Sequence, residues 1–234
     1  MFEATSKRYL FKMKEIWYAE KPYDIRGYDI VQFYFVRQEP QDNSFIPKKS
    51  YFAVIALNKT MEAIYRSFDR TTQKEIRRAR RENFKVETNE DYEGFAKLWN
   101  EFMSAKKIKK YELSESMLHM HPDHRLVNVK DAEGRILAAD YACIAEKQMY
   151  MLYIINAIGT IPGIEDKVSM ATRLAHYTMI EEALKDRLQK INLRSLGDGR
   201  EEAGKKFESS FGTEREETTA YVKVYNPVLK LFYR

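Results

Sequence analysis

Apolar and polar positions divide the chain into segments of two different periods. Tyr28 to Val36 (YDIVQFYFV) and Tyr51 to Leu57 (YFAVIAL) are short, aromatic and β-branched runs that read as strands, and the Pro, Asn and Asp segment Gln38 to Pro47 between them reads as a hairpin loop. The two strands are therefore expected to be neighbours. After Asn58, a plausible N-cap, Met61, Ile64, Tyr65, Phe68, Ile76 and Ala79 recur at i, i+3/i+4 and predict one or two helices up to about Asn83. A short strand, Lys85 to Thr88, follows. Asp91, Tyr92, Phe95, Leu98, Trp99 and Phe102 then predict an amphipathic helix, and Ser114 to His119 a further short one.

From Arg125 the period becomes two. Leu126 to Lys130, Arg135 to Ala145 and Met149 to Ile155, joined by AEG and EKQ turns, predict an antiparallel meander. The Gly- and Pro-containing loop Asn156 to Asp166 leads into a helix from Ser169 to Leu188, with Leu174, Tyr177, Ile180, Leu184 and Leu188 on one face. A strand (Ile191 to Leu196), a Gly-Asp-Gly turn, a helix (Glu201 to Ser210) and a strand (Thr218 to Tyr225) complete the pattern. This order predicts an α/β fold of α+β type with a mixed sheet, and no repeat or linker divides it. The expectation is one domain over 1–234, made of N-terminal strands (1–58), a helical segment (59–124) and the meander, helix and closing strands (125–234).

Composition narrows the class. With 44% hydrophobic residues in 234, the chain is long and apolar enough to bury a core. The longest apolar run, Met149 to Ile155, is far below the ~20 residues of a membrane helix, so no integral membrane association is expected. The N-terminus mixes charges with aromatics and shows no export signal. The single cysteine, Cys143, excludes an intrachain disulfide, and a cytoplasmic location is expected. The net charge of +5 permits acidic partners without demanding one.

Several segments resemble a known family. HPDHRLVNVKDAEGRILAADYACI, ATRLAHYTMIEEALKDRLQKINLRSLGDG and KKFESSFG are similar, in that order, to the hairpin, the helix-strand-glycine turn and the closing F-K-x-x-F-G motif of the GNAT-like acyltransferase fold. The likeness is to its FemAB-like branch, which includes peptidoglycan aminoacyltransferases and GNAT-like acetyltransferases. TTQKEIRRARRENFKVE resembles the basic helix and strand before the meander. The sequence departs from the pattern at Glu208, where the family usually has lysine, and in NAIGTIPGIEDKVS, which lacks the basic residue of the Q/R-x-x-G-x-G/A loop.

The resemblance implies transfer of an acetyl or aminoacyl group from acetyl-CoA, another acyl-CoA or an aminoacyl-tRNA to a small-molecule or peptide amine by direct attack, with no metal. Such transfer needs a donor for the oxyanion and proton acceptors and donors for the amine and leaving group. Tyr153 and Asp140 are the expected catalytic residues, Tyr153 as a phenol for the leaving group and Asp140 because it interrupts an apolar strand. Asn156, Gly159, Ser169 and Arg173 are expected to bind the cofactor at a helix start, although Ser169 also reads as an N-cap and Arg173 as surface. Tyr150, Lys206, Phe207 and Phe211 are expected at the substrate.

Seven basic residues lie between Arg70 and Lys85, of which Arg70, Lys74, Arg77, Arg81 and Lys85 form a stripe suited to tRNA phosphates, with Glu75 and Glu82 as diluting partners. His119, His121, Asp123 and His124 match an H-x-H-x-D-H zinc pattern, but the further ligands of that fold are missing. The competing reading is a non-catalytic protein that retains the fold and binds an anionic partner.

Overall fold

The computed structural model describes residues 2–8, 10–105, 112–157, 163–195 and 202–231. Its contacts divide the chain into two units, one of residues 1–52, 197–200 and 216–234, the other of residues 53–196 and 201–215.

In the first unit, β1 (Phe2–Arg8) and β2 (Phe11–Trp17) pair antiparallel from Phe2↔Trp17 to Arg8↔Phe11. β2 runs parallel to β3 (Ile30–Tyr34), and β3 runs antiparallel to β10 (Glu214–Val224), with Val224 opposite Ile30. β4 (Ile46–Ala56) is on the far side of β10, giving the order β1-β2-β3-β10-β4. The two apolar runs expected to be neighbours are thus separated by β10. The reason is local: about ten residues connect them, too many for a tight turn to dictate pairing. β3 is also buried on both faces, Val31 and Phe33 with Ile16, Phe45 and Tyr221, and Ile30 with Val222 and Val224. α7 (Pro227–Lys230) starts at the Asn226 cap.

The second unit contains the rest of β4 and the order β4-β9-β8-β7-β6-β5. β5 (Lys85–Thr88), β6 (His124–Lys130), β7 (Ile136–Ala145) and β8 (Gln148–Asn156) are antiparallel neighbours, and β9 (Lys190–Ser195) runs parallel to β8. α1 (Met61–Ser67) and α2 (Arg70–Ala79) are two helices because Asp69 caps the second, accepting from the Thr72 N–H at 2.6 Å. α5 (Glu165–Lys185) lies across β6 and β7 with α2 against it, whereas α3 (Tyr92–Ala105) lies against β7 and β8 with α4 (Glu115–Leu118) beside it. α6 (Glu202–Ser209) follows β9 in the chain. Ile64, Ile76, Phe95, Leu126, Met149 and Ile180 are among the largest members of the core. The fold is a mixed sheet flanked by helices.

Candidate functional site

β8 is the strand on which the local geometry changes. Its register with β7 runs Tyr141↔Tyr153 and then Ala142↔Met151, so Leu152 has no residue opposite it and forms a β-bulge. On the other edge β8 pairs with β9 from Gln148↔Lys190 to Tyr150↔Asn192, and among the described residues that pairing goes no further although both strands continue. Beyond Tyr150 the described pairing of β8 with β9 stops. The end of a parallel ladder is a place where a backbone N–H can donate to a carbonyl oxygen.

The bulge also regroups side chains. Tyr150 is opposite Cys143 and Tyr153 opposite Tyr141, so both tyrosines point to the α3 face, where strict alternation would separate them. The Tyr153 ring is half-buried, 4.8 Å from Trp99 and 5.7 Å from Tyr141. The Tyr150 hydroxyl donates to Gln148 Oε1 at 2.7 Å.

Asp140 points the other way. Its Oδ2 lies 2.6 Å from Nδ1 of His176 on α5, with the two side chains 1% and 0% exposed. The approach is too oblique for a well-formed hydrogen bond, but the separation in a dry interior makes the pair electrostatically strong. Burial pushes the Asp140 carboxyl up, and His176 opposes that shift. Asp140 thus sits in the interior beneath α5 and faces no open cleft.

Ser169 and Arg173 are on the same face. Arg173 Nη1 is 2.7 Å from Glu75 Oε2 of α2 and donates to Ser169 Oγ at 2.8 Å, while Ser169 Oγ donates to Glu75 at 3.1 Å. The guanidinium lies over Phe207 at 5.3 Å. The structure brings together Asp140, Ser169, Arg173, Phe207 and Phe211 around α5 and keeps Tyr150 and Tyr153 on the opposite side of the sheet. Asn156 ends β8 opposite Ala138, Lys206 is exposed on α6, and Gly159 lies outside the described residues.

No family model and no curated protein matches the sequence. Solved structures do match. FemX superimposes with a TM-score of 0.61 at 15% identity, over 84% of this chain and 67% of FemX. L-PGS from Bacillus licheniformis gives 0.57 at 14%, over 89% and 71%, and a C-terminal DUF2156 domain from Agrobacterium fabrum gives 0.57 at 13%, over 87% and 70%. The chain shares its fold with these structures.

In this fold the KKFESSFG segment has a physical explanation. Phe207 meets the His176 ring edge-on at 5.1 Å and Phe211 stacks on it at 5.3 Å. Gly212 has φ +65°, and a Cβ there would lie 2.8 Å from the Ser67 carbonyl. Glu208, in the place of the family's lysine, is 2% exposed. His176 and Glu75 are the residues that sequence reasoning undervalued. A carboxylate inside an apolar strand requires a buried partner, and that requirement was the available signal.

The histidine segment at the start of β6 is a packed cluster. His124 bonds the Tyr92 hydroxyl through Nε2 at 2.9 Å and the His121 carbonyl through Nδ1 at 2.7 Å. His121 is buried, and burial together with nearby His124 pushes it down to about 4. Among the described residues no group of three His, Cys, Asp or Glu side chains is arranged to hold a metal.

Proposed function

We propose that the chain is an N-acyltransferase that moves an acetyl or aminoacyl group from an acyl-CoA or an aminoacyl-tRNA to a small-molecule or peptide amine. The carrying observation is the end of the described β8–β9 pairing at Tyr150, next to the Leu152 bulge, in a fold shared with FemX. In this reading the donor carbonyl lies at that end and a β8 N–H stabilises the oxyanion as the amine nitrogen attacks. The C–N bond forms, the C–S or C–O bond to the donor breaks, and the Tyr153 phenol returns a proton to the leaving group. The proton released by the amine passes to water.

The α2 surface supports a polyanionic donor. Arg70, Lys74 and Arg77 are exposed and their spacing puts them on one side of α2 over about 10 Å, with Arg81 exposed in the turn that follows. Of the two acids expected to dilute this charge, Glu75 is turned inward to Arg173 and Glu82 stays exposed. Lys85 leaves the stripe for Glu87 at 2.7 Å. We assign the stripe to tRNA phosphates. Among the described residues no helix is long and apolar enough to cross a membrane, and both donors are cytoplasmic molecules, so the reading places the chain there.

One observation favours the competing reading of a non-catalytic protein on the same fold. Arg173, the cation placed to hold a pyrophosphate, is already neutralised by Glu75. Calorimetric titration with acetyl-CoA, followed by an aminoacyl-tRNA transfer assay with wild type and Tyr153→Phe, separates the two. Saturable donor binding with transfer reduced about tenfold or more in the variant supports the enzyme. Binding of tRNA without transfer to any amine supports the competitor.

A further inference from the structure

Six large apolar side chains are exposed among the described residues, and three of them share one end of the first unit: Leu10 at 85%, Val228 at 60% and Leu231 at 69%. The sheet topology puts them there. β1 ends at Arg8, β2 and β3 begin at Phe11 and Ile30, and β10 ends at Val224, with Ile30 opposite both Met13 and Val224. Leu10 therefore stands on the turn from β1 to β2, and α7 leaves the same end of β10. Asp29 fastens the two. Its N–H donates to the Lys12 carbonyl at 2.8 Å, its carboxylate accepts from the Lys12 N–H at 2.8 Å and from Asn226 Nδ2 at 3.0 Å, and its carbonyl accepts from the Tyr225 N–H at 2.9 Å. In α7, Leu229 packs on the cluster of Ile30, Val222 and Val224, while Val228 and Leu231, three residues apart in helical backbone, share the outer side. Single exposed apolar residues are ordinary, but three held on fastened turns at one end form a patch.

Charge identifies the occupant. Exposed cations stand among the apolar tips: Lys12 just after Leu10, Lys230 between Val228 and Leu231, and Arg26 in the segment before β3. The acids nearby are engaged, Asp29 as described and Asp24 by Lys223 and the Tyr225 hydroxyl, each at 2.7 Å. Arg26, 3.8 Å from Asp24, is still 92% exposed. A stable protein interface uses ~20–30 residues a side on a fitted surface, which three protruding tips do not provide. A bilayer needs no fitted surface, because apolar side chains enter the boundary between headgroups and acyl chains while cations meet anionic headgroups. We propose that this end of the first unit docks peripherally on an anionic lipid surface, with Leu10, Val228 and Leu231 entering the boundary and Lys12, Arg26 and Lys230 contacting lipid phosphates.

The test is flotation of the full-length chain with vesicles of phosphatidylcholine alone and of an equal mixture of phosphatidylcholine and phosphatidylglycerol. Wild type is expected to bind the mixed vesicles about tenfold or more better than the neutral ones, an advantage that falls as salt is added. Leu10→Ser/Val228→Ser/Leu231→Ser should bind the mixed vesicles about tenfold or more weakly, and should melt within about 5 °C of wild type because all three side chains are exposed. Lys12→Gln/Arg26→Gln/Lys230→Gln should remove the preference for mixed vesicles. If the triple apolar variant does not fold, Leu10→Ser and Leu231→Ser are read singly, each with a loss of about threefold or more. A wild type that stays behind when the mixed vesicles float overturns the proposal, and so does an apolar variant that floats as wild type does. Flotation lost in Arg77→Ala/Arg81→Ala and kept in the apolar variant assigns the lipid contact to α2 and overturns it too. Self-association of wild type in sedimentation, abolished in the apolar variant and without flotation, makes the occupant a second copy of the chain and likewise overturns it.

Discussion

On the α5 face of the meander, ionisable side chains are matched in pairs, the buried Asp140 with His176 and the half-buried Arg173 with Glu75. On the α3 face, around Tyr141, the polar groups are the Tyr92 and Tyr141 phenols and the His121 and His124 imidazoles. Burial pushes the Tyr141 and Tyr92 phenols up and His121 down, and their hydrogen bonds run to a backbone carbonyl or to one another. The contrast shows two solutions to the same solvation problem. A lone hydroxyl or imidazole needs any one hydrogen bond, whereas a buried acid–base pair needs each partner at one particular place. The Asp140–His176 site is thereby the more exactingly positioned of the two, and the Tyr141 site the one that tolerates replacement.

The largest expected effect tests that contrast at adjacent positions of β7. Asp140→Ala leaves His176 without its partner and should cost about 3–5 kcal/mol in urea unfolding. Tyr141→Phe removes one hydroxyl, which donates to the Leu118 carbonyl, and should cost about 1 kcal/mol. Equal losses at the two positions would erase the distinction between the faces.

Next in size is Gly212→Ala. The residue has a positive φ and closes on the Ser67 backbone, so a methyl group strains both and should cost about 2–3 kcal/mol by the same measurement. A loss below about 0.5 kcal/mol would mean that the junction after α6 has room to shift.

The α3 face should declare itself in acid. His121 is near 4 when folded against about 6.5 when unfolded, so between those values the unfolded chain binds more protons. Stability is therefore complete above about pH 6.5 and is lost as pH falls towards 4, by on the order of 2 kcal/mol for a side chain that keeps some contact with water. His121→Asn should flatten this part of the stability curve. An unchanged slope in the variant would assign the acid sensitivity elsewhere.

The sequence carried the meander and β5 almost to the residue, because period two is a property of the chain alone, and it carried the long α5 with its start at Ser169 instead of Glu165 and its end at Leu188 instead of Lys185. It did not show β1 and β2, where Lys12, Lys14 and Glu15 stand among half-buried apolar positions. Pairing was harder still, since β10 enters between β3 and β4 from almost the far end of the chain. The Leu152 bulge exists only relative to β7, so the sharing of one face by Tyr150 and Tyr153 was not legible along the strand. Asp140 stood out as a polar break in an apolar run. Its partner did not, because α5 is buried around most of its circumference and periodicity singles out no face for His176.

The smallest expected effect on stability concerns the exposed charges of the α2 stripe. Arg77 and Arg81 project from this segment into solvent, while Glu75 on the same helix is committed to Arg173. Replacing both arginines with alanine should change unfolding free energy by less than about 0.5 kcal/mol, as expected of surface side chains. Binding of tRNA should respond far more. Removing two phosphate-binding cations should reduce the slope of log affinity against log salt by roughly 1.5–2, with weaker binding across all tRNA sequences tested. An unchanged slope would remove α2 from the interface. A changed slope with unchanged protein stability would show that the inward turn of Glu75 does two things at once, completing the α5 face and leaving the outer stripe positive.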